Sequence, residues 1–304
     1  MFRHLLVPLD GSSLAEAVLP AVASLAARLG TAVTLLHVRE RRAPATIHGA
    51  RHLTDLDEAE RYLEAVERSL GLRGCPVTRH VHSSEEDDVA QAIVQHAEEF
   101  RADLIVLSTH GRGGLRGLVM GSIAQRVLQQ GTAPVFLVHP AGRAPTAFAC
   151  RTILVPLDGS AAHESALDAA VKLARAHGAR LHLVIVVPTP VTLPGDTAAA
   201  GVMMPLATSA LLDLATEGAA QYVGCLVERL KLAGVEATAQ VRRGEPAANL
   251  VEAAEQVGAD LLTMATHGRS GLSAFWEGSV SAKVLTRSGR PVILVHASNS
   301  GFSP

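Results

Sequence analysis

The sequence predicts an α/β chain of two tandem doubly wound domains, each a parallel sheet with helices on both faces. Three observations carry this. The chain is a duplication: Leu5-Leu6-Val7-Pro8-Leu9-Asp10-Gly11-Ser12 returns as Ile153-Leu154-Val155-Pro156-Leu157-Asp158-Gly159-Ser160, and Ala133-Pro134-Val135-Phe136-Leu137-Val138-His139 returns as Arg290-Pro291-Val292-Ile293-Leu294-Val295-His296. Within each copy, short runs apolar on both faces alternate with stretches of helical spacing, the pattern of strands covered on both sides. The 304 residues suit two domains of ordinary size, and an apolar content of 48% gives each a core. The domains are expected over residues 1–140 and 150–297, joined by Ala141 to Ala149, a short linker rich in Ala, Pro and Thr.

In the first copy, Arg3 to Leu9 reads as a strand. Ser12 or Ser13 suits the cap of a helix reaching about Leu29, with an apolar stripe at Leu14, Val18, Ala21, Val22, Leu25 and Leu29. Pro20 inside it predicts a kink, and Gly30 ends it. Val33 to Val38 is a second strand, Leu53 to Leu70 a helix, Val77 to Val81 a third strand, and Glu85 to Phe100 a helix with acids in its first turn. Leu104 to Leu107 is a fourth strand, Ile123 to Gln129 a helix, and Val135 to Val138 a fifth strand. The second copy repeats this order with one addition after its second strand, Pro188 to Pro205, read as a mobile insertion or lid. Its third helix is expected to open on Pro246.

Composition removes several classes of function. A net charge of −2 gives no electrostatic footprint for nucleic acid, and aromatics at 3% supply no stacking platform for single strands. The three cysteines, Cys75, Cys150 and Cys225, have no metal or disulfide spacing and read as free thiols. No apolar run reaches membrane-spanning length. Met1-Phe2-Arg3-His4 leads straight into a strand pattern, so no signal peptide and a cytoplasmic location are expected.

The chemistry concentrates after the fourth strand. Ser108-Thr109-His110-Gly111-Arg112-Gly113-Gly114 is followed by Gly121-Ser122 where a helix begins, and Ala265-Thr266-His267-Gly268-Arg269-Ser270-Gly271 is followed by Gly278-Ser279. Strand, glycine loop and helix N-terminus form the layout that holds a phosphate: glycine lets the backbone approach, and the first N–H groups of the helix, at Gly121, Ser122 and Ile123, lack helical acceptors. The Ser122 hydroxyl adds a donor, and Arg112 and Arg116 are placed either to reach the phosphate or to be solvated. Asp10 and Asp158, at the ends of the first strands, suit a ribose hydroxyl, an adenine amino group or a phosphate-bound Mg²⁺, and equally a turn or helix cap. His110 and His267 read as loop histidines that order the turn, because no nucleophile or second base is placed beside them. The other histidines are scattered, with no His-Glu-x-x-His set, so no metal centre is expected. Neither a P-loop nor a Gly-x-Gly-x-x-Gly follows the first strand, and no Gly-x-Ser-x-Gly elbow occurs. Fast ATP hydrolysis, dinucleotide redox chemistry and α/β-hydrolase chemistry are therefore disfavoured.

With these motifs in order, twice, the sequence resembles the universal stress protein family in its tandem two-domain form. Nucleotide-binding members carry Gly-x2-Gly-x9-Gly-Ser/Thr, and Gly111 with Gly121-Ser122, and Gly268 with Gly278-Ser279, match its later elements. The resemblance implies a five-stranded parallel sheet in the order 3-2-1-4-5. It implies an adenine nucleotide, ATP with or without Mg²⁺, beside Pro8, Leu9, Asp10, Val38, Leu107, Ser108, Gly111, Gly121, Ser122 and Ile123. In the second copy the matching residues are Pro156, Leu157, Asp158, Val187, Met264, Ala265, Gly268, Gly278, Ser279 and Val280. It also implies that the last strands pair, making an intramolecular pseudo-dimer and leaving room for a homodimer, to which Trp276 could contribute as well as to a core or lid. The chain departs from the family pattern at its first motif glycine, replaced by Ser108 and by Ala265. Loop charge also differs: Arg112 and Arg116 in one copy, Arg269 and Glu277 in the other, which predicts the tighter site in the first copy. The expected role is regulatory binding of ATP in a stress response, not catalysis. The alternatives are a nucleotide-free scaffold, or a slow ATPase or autophosphorylating protein with Ser122 or Ser279 as acceptor.

Overall fold

The computed structural model describes residues 2–41, 46–47, 50–51, 53, 55–109, 120–140, 147–193, 199, 202–266 and 279–297. Two compact units centre on Met1–Ala149 and Cys150–Arg290. The first holds β1 (His4–Pro8), α1 (Leu19–Leu29), β2 (Ala32–Glu40), α2 (Leu56–Leu70), β3 (Val77–Glu86), α3 (Val89–Glu99), β4 (Leu104–Ser108), α4 (Ser122–Gln130) and β5 (Val135–Val138). The second repeat holds β6 (Thr152–Leu157), α5 (Ser165–His177), β7 (Arg180–Val187), α6 (Pro205–Leu232), β8 (Ala237–Arg243), α7 (Pro246–Gln256), β9 (Leu261–Thr266), α8 (Val280–Ser288) and β10 (Val292–His296). A two-residue strand pair, Thr46–Ile47 with Ala50–Arg51, precedes α2.

Strand order in the first repeat is β3-β2-β1-β4-β5, every neighbouring pair parallel. The second repeat has the same order, β8-β7-β6-β9-β10. Both are 3-2-1-4-5, so the order reverses between the first and fourth strands of each repeat, and the carboxyl ends of those two strands flank one crevice. The core is apolar on both faces of the strands. Leu5, Leu6, Val7, Leu104, Ile105 and Val106 are fully buried, as are Ile153, Leu154, Val155, Leu181 and Leu183 to within a percent. At about 1.5–3 kcal/mol for each large aliphatic side chain removed from water, these strands supply much of the hydrophobic drive for folding.

The helix ends follow from local chemistry. Gly30 and Gly178 close α1 and α5 in the left-handed conformation, φ 65° and 66°, each returning its N–H to an alanine carbonyl four residues back. Pro246 opens α7 as expected, with the Glu245 carboxylate accepting from Ala248 N–H at 2.7 Å. Three expectations are corrected. The first helix is not kinked at Pro20: a 3₁₀ turn over Ala15–Val18 comes first, and Pro20 falls in the first turn of α1, where its missing N–H costs nothing. The second helix begins at Leu56, three residues late, because Asp55 accepts from Glu58 N–H at 3.0 Å and fixes the cap there. Glu85 and Glu86 do not start α3 but continue β3, with Arg39 pairing with Glu85 at 3.4 Å and Arg41 with Asp87 at 2.6 Å. Asp88 then caps α3 by accepting from Gln91 N–H.

Candidate functional site

At the end of β6 the chain turns through Asp158-Gly159-Ser160. Gly159 sits at φ 87°, which only glycine adopts without strain, and an Asp158 carboxylate oxygen accepts from Ser160 N–H at 2.9 Å. The first repeat makes the same turn: Gly11 at φ 86°, with Asp10 accepting from Ser12 N–H at 2.9 Å. The turn role anticipated for these acids is thus real in both repeats. In the second, His163 Nδ1 lies 2.6 Å from the other Asp158 oxygen and 3.0 Å from Ser160 Oγ. Burial opposes ionisation of Asp158. Hydrogen bonds from the Ser160 backbone and from His163 outweigh it and hold the carboxyl below the ordinary aspartate range. Serine and aspartate contact the same ring nitrogen, so this imidazole has no relay geometry between a nucleophile and an acid.

In each repeat a helix N-terminus follows the fourth strand. In the second repeat Ser279 caps α8, its Oγ accepting from Ala282 N–H at 3.1 Å. The N–H groups of Val280 and Ser281 remain for a ligand. In the first repeat Gly121 occupies the cap with no side-chain bond, so α4 starts one residue earlier in the motif and presents Ser122, Ile123 and Ala124 N–H. Ser108, in place of the first motif glycine, is buried at the end of β4, whereas Ala265 lies in β9 against open space.

That space is a cavity of about 720 Å³ in the second repeat. Its floor is the carboxyl ends of β6, β7 and β9, with Pro156, Leu157, Asp158, Val187, Met264 and Ala265. One end is Ser279 and Val280 at the start of α8, and one wall is α6. Eight of the ten residues expected in the second copy therefore converge on one cavity. Gly268 and Gly278 lie outside the described residues, as do His267, Arg269, Trp276 and Glu277. Residues not foreseen from the sequence are His163 and the α6 wall of Ala215, Gly218, Ala219 and Tyr222. Their spacing of three, one and three is a helical stripe of small residues ending in an aromatic, and that pattern was available in the sequence. Tyr222 donates to the buried Glu164 at 2.7 Å, and burial followed by this acceptor pushes the phenol well above its ordinary range.

The first repeat brings the same set to the same strand ends: Pro8 at the end of β1 with Leu9 and Asp10 after it, Val38 in β2, Leu107 and Ser108 in β4, and Gly121, Ser122 and Ile123 at α4. Gly111 lies outside the described residues, with His110, Arg112, Gly113, Gly114 and Arg116. Here Leu53, 8% exposed, lies over the turn, so close that a Cβ on Gly11 would come within 2.7 Å of it. His37 fixes that arrangement, its two ring nitrogens 2.8 Å from the Leu9 carbonyl and 3.0 Å from the Leu53 carbonyl.

Residues 1–139 and 149–296 each match the model described as the universal stress protein family. The chain belongs to the universal stress protein family. The universal stress protein YxiE of Bacillus subtilis is 26% identical over 151 residues, 46% of this chain and all of that protein. A universal stress protein of Mycobacterium tuberculosis is 30% identical over 200 residues, 65% of this chain and 63% of that one. The crystal structure of a universal stress protein from Archaeoglobus fulgidus covers 97% of both chains with a TM-score of 0.64 at 18% identity, a likeness of fold. Among the described residues of this universal stress protein, no helix is long and apolar enough to cross a membrane.

Proposed function

We propose that this protein binds an adenine nucleotide, ATP with Mg²⁺, in the cavity of its second repeat and acts as a regulatory component of a stress response. The observation that carries the reading is the cavity itself. Its volume of about 720 Å³ lies within the range of about 300–1,000 Å³ usual for small-molecule sites, and its lining joins apolar strand ends to a helix N-terminus. Val187, Met264 and the α6 wall suit a purine, the ionised Asp158 suits its amino group or a ribose hydroxyl, and Val280 and Ser281 N–H suit a phosphate, whose Mg²⁺ would neutralise the remaining charge.

The two domains at 1–140 and 150–297, their pairing through the last strands, self-association as a homodimer and a cytoplasmic location belong to the same proposal and rest on the resemblance. The test uses purified full-length chain. Adenine nucleotide released on denaturation, and a thermal shift with Mg-ATP, are expected. Neither signal would favour a scaffold, and phosphate release abolished by Asp158→Ala would favour a slow ATPase.

A further inference from the structure

The histidines that look scattered along the chain are not all scattered in space. His80 and His82 lie two apart on β3, the edge strand of the first repeat, so they share a face, and α3 lays His96 against them. One ring nitrogen from each lies within 4.8 Å of the others. His96 is buried and the other two are half-buried. Phe100 stacks on His96 at 5.3 Å and meets His80 edge-on at 5.1 Å, an apolar wall that restrains both rings.

The hydrogen bonds around this cluster assign its protons. His82 Nε2 lies 2.9 Å from a Glu86 carboxylate oxygen, and His96 Nδ1 lies 3.0 Å from a Glu99 carboxylate oxygen. A carboxylate only accepts, so both of those nitrogens carry hydrogen. Ser84 Oγ, 2.7 Å from His82 Nε2, itself donates to Glu86 and so accepts from the imidazole. The opposite nitrogens, His82 Nδ1 and His96 Nε2, are then bare in neutral rings, yet they face each other at 2.8 Å. Two lone pairs do not make such a contact. Something positive belongs between them, a proton or a metal ion, and His80 offers a third nitrogen to it. Carboxylates bonded to the far nitrogens of ligating histidines are also the usual outer support of a metal site.

We propose that His80, His82 and His96 form a binding site for one divalent transition-metal cation of the zinc class, with Glu86 and Glu99 as orienting partners. Three imidazoles select this class over the oxygen-seeking Mg²⁺ and Ca²⁺. Two ligands on a tetrahedral zinc with bonds of about 2.0–2.1 Å stand about 3.3 Å apart, so the facing nitrogens would open by about half an ångström. Half-buried His80 and His82 leave a fourth position open to water. The site is built from the third strand and third helix, with His82 in register with Val38 of β2, and uses none of the residues placed around the crevice.

Full-length chain stripped with chelator is titrated with Zn²⁺ alone and, separately, with Co²⁺. Uptake of one Zn²⁺ per chain is expected, and Co²⁺ should give visible absorption bands that Zn²⁺ removes. His82→Gln and His96→Gln should lose both signals. Glu99→Gln should keep the stoichiometry and weaken binding by about 10–100-fold, which an effect on folding alone would not do. Should His96→Gln fail to fold, His82→Gln, at a half-buried edge position, carries the comparison under circular dichroism. No stoichiometric uptake by the unmodified chain, which leaves a shared proton between the rings, overturns the proposal, as does full uptake by folded His82→Gln.

Discussion

At the end of β1, Leu53 lies over Gly11; at the end of β6, the equivalent Gly159 has nothing within 4 Å of where a Cβ would be. The two turns share the left-handed glycine and the aspartate-to-serine hydrogen bond, while the contact of His163 with Asp158 belongs to the second alone. What differs is the chain that follows the second strand. In the first repeat it brings Leu53 back over the turn, where His37 of β2 contacts its carbonyl, and continues into the 15-residue α2. In the second it leads to the 28-residue α6, whose small residues stand back from the strand ends. Among the described residues, the connection after the second strand therefore sets how much room stands over the turn. Loop charge ranks the first repeat higher, and the formed cavity ranks the second.

The sharpest break between these rankings is Ala219→Trp, which puts an indole into the cavity. Nucleotide affinity measured by calorimetry should fall at least about tenfold, or 1.4 kcal/mol. Undiminished binding would return the site to the first repeat and its Arg112 and Arg116. The converse variant, Leu53→Ala, should lower stability by about 2–5 kcal/mol, as large-to-small core changes do. It should also raise the nucleotide stoichiometry from one to two per chain; a stoichiometry still at one would show that Leu53 is not what distinguishes the repeats.

A matched pair of tyrosines gives a smaller contrast. Tyr222 donates to Glu164, 6% exposed, and Tyr62 stands near the half-exposed Glu16, whose charge adds to burial in raising the phenol. Tyr222→Phe leaves a buried carboxylate short of a donor and should cost about 1–3 kcal/mol in denaturant unfolding. Tyr62→Phe should cost less; equal costs would remove burial of the acceptor as the reason. The smallest effect concerns acid. Asp158 has a lowered pKa, so its contribution is full above the unfolded aspartate value near ~3.9 and is lost as pH falls through the lower folded value. Denaturation midpoints followed down through that window should converge between the native chain and Asp158→Asn. A gap that persists at the acid end would mean the charge is not the source.

Much of this was legible in the residues. Strands such as Leu104 to Leu107 and Val135 to Val138 declare themselves as unbroken apolar runs, and Gly30 and Pro246 mark helix ends for steric reasons that hold in any context. The positions of Asp158, Met264, Ala265 and Ser279 around one crevice follow once strands one and four are neighbours, a relation supplied by resemblance and not by spacing. The misplaced start of α3 is a competition: Glu85 and Glu86 suit a helix's first turn, but cross-strand arginines hold them in β3. The wall from α6 and the meeting of His96 with His80 and His82 depend on tertiary packing. The strand expected over Val77 to Val81 stopped one residue short of His82, so the face it shares with His80 appears only in the longer strand of the structure.

The uneven burial of α6 has a further consequence. Its last third is anchored by Val223, Leu226 and Leu230, all nearly inaccessible, while Leu206, Leu211 and Leu214 near its start are 88%, 66% and 63% exposed, with Leu212 alone of its first ten residues buried. Local opening free energy tracks buried apolar contact, so this helix carries a gradient, easily unwound at Pro205 and held at Leu230. Ala215, Gly218 and Ala219 lie where the gradient is crossed. Amide exchange should quicken along the helix from its end toward its start, and the boundary between slow and fast amides falls on the residues that border the cavity.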